Sequence, residues 1–418
     1  MKVPRILLAA GASGSGKTLI TCGLLQALVN RGLKTASFKC GPDYIDPMFH
    51  SRVIGTKSRN LDTFFTDKEI TRYLLCQNAA GCEISVMEGV MGFYDGVAGT
   101  TTRASAYDLA CVTDTPVILI VNSRGMSVSL AAYVKGFMEY RKDSHIEGVI
   151  FNQMSPMLYP RMKKLLEDEL GVRVLGYVPK VEDCVIESRH LGLVLPDEIP
   201  ELQANLQRLS EILEKTLDID GIIQVAEGAP EIKAQEPILD FCVKKPLRIG
   251  VADDEAFCFF YEDNFRILEK MGAELVHFSP VRDQKLPCRL DGLLLYGGYP
   301  ELNGRELENN TSMREDIKKA LDAGMPCMAE CGGFMYLHDE MEGMDGNIYH
   351  MAGVIPGKAY RTPHLNRFGY VTLTQKQTVL GSDMLGEIPA HEFHYFDSEN
   401  CGEAFLAKKP ESKREWEC

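Results

Sequence analysis

No apolar run in this chain approaches the roughly 18 residues that a membrane-spanning helix needs, so no segment is expected to cross a bilayer. No basic run resembles an arginine-rich tail, and the net charge is −14. An acidic excess repels phosphate backbones, which argues against a nucleic-acid partner and gives no reason to expect an anionic membrane surface. The thirteen cysteines show no CxxC and no Cys/His cluster of zinc spacing. They read as reduced thiols of a cytoplasmic protein. No internal repeat and no low-complexity tract is visible. The start, MKVPRILLAAGASG, has an apolar part too short for a signal peptide, and it runs directly into a glycine loop. What remains is a composition of 45% apolar and 25% charged residues, that of a globular protein. At 418 residues the chain is long enough for two cores.

What is present begins with GASGSGKT, Gly11 to Thr18. The apolar run Ile6–Ala10 precedes it and reads as a buried strand. Leu19–Val29 follows with helical periodicity. Strand, glycine loop, helix is the context of a phosphate-binding loop. Gly11, Gly14 and Gly16 let the backbone curl until successive N–H groups, that of Ser15 included, face phosphate oxygens. The helix start adds partial positive charge. Lys17 reaches for the β/γ-phosphates of ATP, and the Thr18 hydroxyl for Mg²⁺.

Further apolar strands are expected at Thr35–Lys39, Ile84–Glu88, Val117–Asn122 and Gly148–Asn152, with helical segments between them. That alternation predicts an α/β fold with a doubly wound parallel sheet, whose functional residues sit at the carboxyl ends of the strands. Asp43 and Asp46 lie three apart on a loop restrained by Pro42 and Pro47. They suit a metal ion or an incoming substrate; the alternative is a turn with two solvated acids. Glu88 ends its strand among glycines and suits Mg²⁺. Otherwise it is a buried acid paired with Lys17. Asp95 faces the same edge, and Asn152 is placed to read an adenine edge.

GPDYIDP (Gly41 to Pro47), SRNLD (Ser58 to Asp62), MEGVMGFYDG (Met87 to Gly96) and ESRHLGL (Glu187 to Leu193) resemble the cobyrinate a,c-diamide synthase family of cobalamin-pathway amidotransferases. The resemblance covers nearly the whole chain. It implies a dethiobiotin-synthetase-like first domain and ATP-dependent amidation of the a and c carboxylates of a corrin precursor, with L-glutamine as nitrogen source. It also implies that Asp43, Tyr44, Asp46, Glu88 and Asp95 belong to the site for ATP, metal and substrate, Asp43 with the metal and Tyr44, Asp46 and Asp95 with the tetrapyrrole. His190 falls in its RHLGL motif as a positioning residue, and a homodimer is possible. A carboxylate resists ammonia because its leaving group is poor. Phosphorylation makes an acyl phosphate that ammonia can displace, and that transfer needs positioning and charge neutralisation above all.

AEGAPEIKAQEP, Ala226 to Pro237, reads as a linker. A second α/β pattern starts at Leu247, with strands expected at Arg248–Ala252, Glu274–Phe278, Gly292–Leu295 and Pro326–Ala329. The expected division is 1–222 for ATP and corrinoid, 223–246 as linker, and 247–418 as a glutamine amidotransferase domain. Cys331, in MAECGGF, sits between a strand and a helical segment, at an elbow that exposes a nucleophile. A helix start is expected to lower its thiol. Gly332 and Gly298, the latter in YGGYPE, offer backbone N–H groups for an oxyanion, as in class I glutamine amidotransferases. The family's catalytic His lies in a motif of the type SYxHLHF beyond HEFHY. HEFHY is His391–Tyr395 here, and no His follows His394. The second domain is therefore expected to be C-terminally incomplete and a poor glutaminase, with His394 as fallback base. The rivals are diamidation of hydrogenobyrinate or nickel sirohydrochlorin, a P-loop switch ATPase, and a corrinoid-binding module without turnover. Switch ATPases carry a second lysine early in the loop, where this chain has Ala12 and Ser13, and they lack a fused Cys331-type elbow.

Overall fold

The computed structural model describes residues 1–181, 188–189, 192–193, 202–239, 242–381 and 385–418. Glu187, His190 and Leu191 of ESRHLGL lie outside the described residues. The chain divides into two compact units, Met1–Pro237 and Ile238–Cys418.

The first unit holds seven strands: β1 (Arg5–Ala10), β2 (Thr35–Cys40), β3 (Lys57–Leu61), β4 (Ile84–Glu88), β5 (Val117–Asn122), β6 (Ile146–Asn152) and β7 (Arg173–Val178). They form one sheet in the order β3-β2-β4-β1-β5-β6-β7, parallel throughout. Helices cover both faces, so β1, β2 and β4 are buried along their whole length and read as near-continuous apolar runs. The exceptions are informative. Lys39 and Glu88 are buried and cross-strand partners in the β2–β4 register. Two-residue strands β8 (Ser188–Arg189) and β9 (Gly192–Leu193) form a small ribbon.

The expected linker behaves differently from a free spacer. Helix Ile219–Glu227 runs into its start, and the stretch that follows folds back on the first unit. Ile232 is buried in that unit's core and exchanges backbone hydrogen bonds with Met1. Apolar Ala229, Ile232 and Ala234, spaced among polar residues, give it a face to bury.

In the second unit β10 (Leu247–Ala252), β11 (Ala273–Phe278), β12 (Gly292–Leu295) and β13 (Cys327–Ala329) make a parallel sheet in the order β11-β10-β12-β13. Strands β14 (His338–Glu342), β15 (Ile348–His350), β16 (Ile355–Arg361) and β19 (Phe396–Ser398) form a mixed sheet. Strands β17 (Arg367–Gln375), β18 (Glu387–His394), β20 (Phe405–Lys408) and β21 (Glu415–Glu417) form an antiparallel one. Among the described residues, no helix is long and apolar enough to cross a membrane. The twelve described cysteines are free thiols.

Candidate functional site

The phosphate loop joins β1 to helix Lys17–Asn30. Gly14 and Gly16 are left-handed, with φ of 75° and 93°, a region that glycine enters freely. Gly16 must also lack a side chain: a Cβ there would lie 2.2 Å from Asn152 Nδ2. No side chain caps the helix, so its first-turn N–H groups stay available to an anion. Asn152 Nδ2 donates to the Ser15 carbonyl at 2.8 Å, and its Oδ1 accepts from the Gln153 N–H at 3.0 Å. Asn152 was expected at an adenine edge. Its buried carboxamide braces the loop.

Lys17 Nζ donates to the carbonyls of Ala12 at 3.1 Å and Met91 at 2.5 Å. Burial pushes its ammonium down to about 8, against the opposing pull of Glu88. Its partner is therefore backbone, and the alternative pairing of Glu88 with Lys17 is replaced by another. Glu88 Oε1 accepts from Thr18 Oγ1 at 2.6 Å and from Lys39 Nζ at 2.8 Å. Lys39 also bonds Asp46 and stands 4.0 Å from Asp43 Oδ2. Burial alone would lower this ammonium, but Asp46, Glu88 and Asp43 together hold it well above its ordinary value. Behind Glu88 lies fully buried His50, its Nε2 3.7 Å from Glu88 Oε2 and 3.6 Å from Cys22 Sγ. Burial lowers this imidazole's affinity for a proton, against the opposing pull of Glu88 and Asp46.

Asp46 thus lies in the interior beside Glu88, both on one lysine. That weighs against the expected division in which Glu88 holds metal and Asp46 meets the tetrapyrrole. Asp43 shapes the loop: its Oδ1 accepts the N–H groups of Ile45 at 2.8 Å and Asp46 at 3.2 Å. Burial, then the Asp46 charge, push Asp43 up to about 7. Its turn role argues against the expected direct metal contact. Tyr44 is half-buried at the head of helix Ile45–Phe49. Asp95 is exposed and accepts from Gly92 N–H at 3.0 Å. The fit to Mg²⁺ rests on Thr18 and Glu88, two hard oxygen donors side by side. Glu88 Oε2 is buried with no hydrogen-bond partner among the described residues. No three His, Cys, Asp or Glu of the described residues converge as a cage, and Mg²⁺ commonly takes one or two carboxylates with phosphate and water completing its shell.

Sequence reasoning gave no role to Lys39, His50 or Asn60. Asn60 Nδ2 donates to the carbonyls of Gly41 at 2.9 Å and Asp43 at 2.6 Å and so holds the acidic loop from β3. A signal existed for Lys39: a lysine inside an otherwise apolar strand, TASFKC, requires a buried counter-charge.

In the second unit Cys331 has φ 50° and ψ −112°, a strained conformation for a non-glycine residue. It turns the chain from β13 into helix Gly332–Tyr336. The turn is possible because its glycines carry no side chains. A Cβ on Gly333 would lie 1.9 Å from the Leu295 carbonyl, and one on Gly297 3.2 Å from Cys331 Cβ. The N–H groups of Gly332 and Gly298 both act on the Cys331 thiol. The thiol itself departs from expectation. It is solvent-accessible, yet surrounding protein mass, followed by the charges of Glu301 and Glu330, pushes it up to about 11. A helix of five residues has too small a dipole to reverse that.

No histidine is among the groups that act most strongly on this thiol. His394 Nδ1 lies 2.6 Å from the Phe396 carbonyl and its Nε2 3.8 Å from Glu392. It stands on β18, in a different sheet from β13. Among the described residues no hydrogen bond or ion pair joins it to Cys331. His338 has both nitrogens engaged, by the Phe334 carbonyl at 2.9 Å and Ser398 Oγ at 2.6 Å. His277 is on β11, three strand steps from β13, or roughly 14 Å.

A family model described as a CobQ/CobB/MinD/ParA nucleotide binding domain matches residues 6–193, and a CobB/CobQ-like glutamine amidotransferase domain matches residues 248–413. Among solved structures, the MinD cell division protein of Aquifex aeolicus aligns at TM-score 0.32 and 16% identity, covering 56% of this chain and 100% of that one. That score is too low to bear on the fold. A cobyrinate a,c-diamide synthase of Priestia megaterium is 38% identical over 94% of this chain and 85% of its own length. One from Caldanaerobacter subterraneus is 37% identical over 99% of this chain and 92% of its own length. One from Thermoplasma volcanium is 42% identical over 94% of this chain and 86% of its own length. Identity of that extent spans both units, and the chain belongs to the cobyrinate a,c-diamide synthase family.

Proposed function

We propose that the chain is a ligase that amidates the a and c carboxylates of cobyrinate, using ATP and ammonia taken from glutamine. The first unit activates the carboxylate and the second releases ammonia. The observation that carries this reading is a chain with two chemistries: a phosphate loop whose Thr18 is bonded to Glu88, and a strained Cys331 with two backbone N–H donors directed at it.

In the first unit a substrate carboxylate oxygen attacks the γ-phosphorus of ATP. An O–P bond forms and the bond to ADP breaks. Lys17 leaves the carbonyls of Ala12 and Met91 for the transferring phosphate, where its charge counts most. Thr18 and Glu88 would hold Mg²⁺, which would neutralise phosphate charge. Lys39 keeps Glu88 and Asp46 aligned. Ammonia then adds to the acyl carbon, and phosphate leaves with the C–O electron pair. In the second unit Cys331 Sγ attacks the glutamine carboxamide carbon. The oxyanion is received by Gly298 and Gly332 N–H groups, ammonia departs, and water hydrolyses the thioester to glutamate.

The test compares nitrogen sources. Cys331→Ser is expected to lose glutamine-dependent amidation and keep ammonia-dependent amidation near the level of the unsubstituted chain. Lys17→Ala is expected to lose both by about 10²-fold or more. A Cys331→Ser protein still active with glutamine, or a Lys17→Ala protein active with ammonia, overturns the reading.

A further inference from the structure

Glu301 has no part in the mechanism above. It lies in the short turn Pro300–Leu302, just beyond the Gly298 donor. That turn abuts the nucleophile's helix: a Cβ on Gly332 would lie 2.8 Å from Pro300 Cδ and 3.2 Å from Gly298 N. The Met344 N–H donates to the Glu301 carbonyl at 3.1 Å and pins its backbone. Of all charged groups, Glu301 acts most strongly on the Cys331 thiol. Glu330, the other carboxylate there, precedes Cys331 in the chain, is exposed and acts less. Among the described residues the Glu301 carboxylate is bonded by its own backbone N–H and by no cation.

An unpaired carboxylate beside a nucleophilic thiol works against it, because negative charge disfavours the thiolate. Such a group is accounted for if the ligand brings a positive charge. Glutamine does: its α-ammonium lies at the opposite end from the carboxamide that Cys331 attacks. We propose that Glu301 receives the α-ammonium of glutamine, orienting the carboxamide over Cys331 and lifting a negative charge off the thiol as substrate arrives. The proposal rests on Cys331 being the glutaminase nucleophile. Burial already pushes the Glu301 carboxyl up to about 7, so an arriving cation shifts it to the ionised, pairing form.

The two readings separate in one alkylation experiment on the full chain. Iodoacetamide modification of Cys331 is followed by peptide mass spectrometry, alone, with glutamine, and with 5-amino-5-oxopentanoate, which is glutamine without its α-ammonium. Glutamine is expected to protect Cys331 at a concentration about ten-fold or more below that needed by the des-amino compound. In Glu301→Gln both compounds should protect at the same concentration, while Glu301→Asp keeps the preference. Equal protection by both compounds in the unsubstituted chain overturns the proposal and leaves the glutaminase reading standing. So does a preference that survives in Glu301→Gln. Protection by neither compound removes the glutaminase reading and the proposal with it. If Glu301→Gln does not fold, the comparison on the unsubstituted chain decides alone.

Discussion

At the scale of single residues, the two sites solve opposite charge problems. Lys39 is one buried cation facing three carboxylates, and the surplus of negative charge suits an arriving metal ion. Cys331 is a solvent-accessible nucleophile facing two carboxylates, and that surplus suits an arriving ammonium. Glu301 also gives a signature in stability. Its folded carboxyl is raised to about 7 from an ordinary 4.5. A carboxyl raised by folding favours the folded state while it is protonated. Its contribution is therefore complete below about pH 4.5 and is lost as pH rises toward 7. The urea midpoint of the second unit should fall across that window, and Glu301→Gln should flatten the fall. Trp416, the one tryptophan of the chain, lies in that unit and reports its unfolding by fluorescence. An unchanged slope in Glu301→Gln would show that this carboxyl is not the group titrating.

At the scale of elements, both sites are built from strand ends and held by close backbone approach. Strand β3 holds the acidic loop through Asn60, whose two bonds reach Gly41 and Asp43. Asn60→Ala should lower stability by about 1–3 kcal/mol. It should also raise the Mg²⁺ needed for half-maximal amidation several-fold, because Asp46 is placed by that loop. A Mg²⁺ titration beside a urea titration separates the two effects; lost stability with an unmoved Mg²⁺ requirement would leave Asn60 with a purely structural role. Helix Gly332–Tyr336 sits directly on β12 through Gly333. Gly333→Ala places a methyl against the Leu295 carbonyl and must push the helix and Cys331 away. Glutamine-dependent amidation should fall by about 10²-fold, with ammonia-dependent amidation kept. Equal loss with both nitrogen sources would contradict a local effect.

At the scale of the whole molecule, the phosphate loop and the cysteine elbow belong to different compact units. ATP bound at a hundred times its Kd stabilises the state that binds it by about 2.7 kcal/mol. Slowed amide hydrogen exchange on adding ATP and Mg²⁺ should therefore concentrate in residues 1–237, above all in β1, β4 and helix Lys17–Asn30. Protection spread equally over residues 238–418 would mean that the nucleotide is not held by the phosphate loop alone.

The sequence by itself determined five of the seven strands in the first unit's sheet, all but β3 and β7, together with the phosphate loop and the cysteine elbow. Each is local: a buried parallel strand is a short apolar run, and a loop that curls around phosphate needs glycine at fixed offsets. Strands Ile84–Glu88, Val117–Asn122 and Gly292–Leu295 fall where the apolar runs put them. Strand β3, KSRNL, escaped because it is an edge strand with polar side chains, and the strands after Tyr336 alternate too weakly to stand out. Only the tertiary structure decided the partners. Lys39 and Glu88 are far apart in the chain and meet because β2 and β4 are adjacent in register. Asn152 braces the phosphate loop because β6 carries it against Ser15. The Cys331 thiol went up instead of down because a helix start is a local feature, whereas burial and the approach of Glu301 are properties of the folded chain. Local pattern sets which groups stand at a strand end; the field they feel is summed over everything the fold brings near.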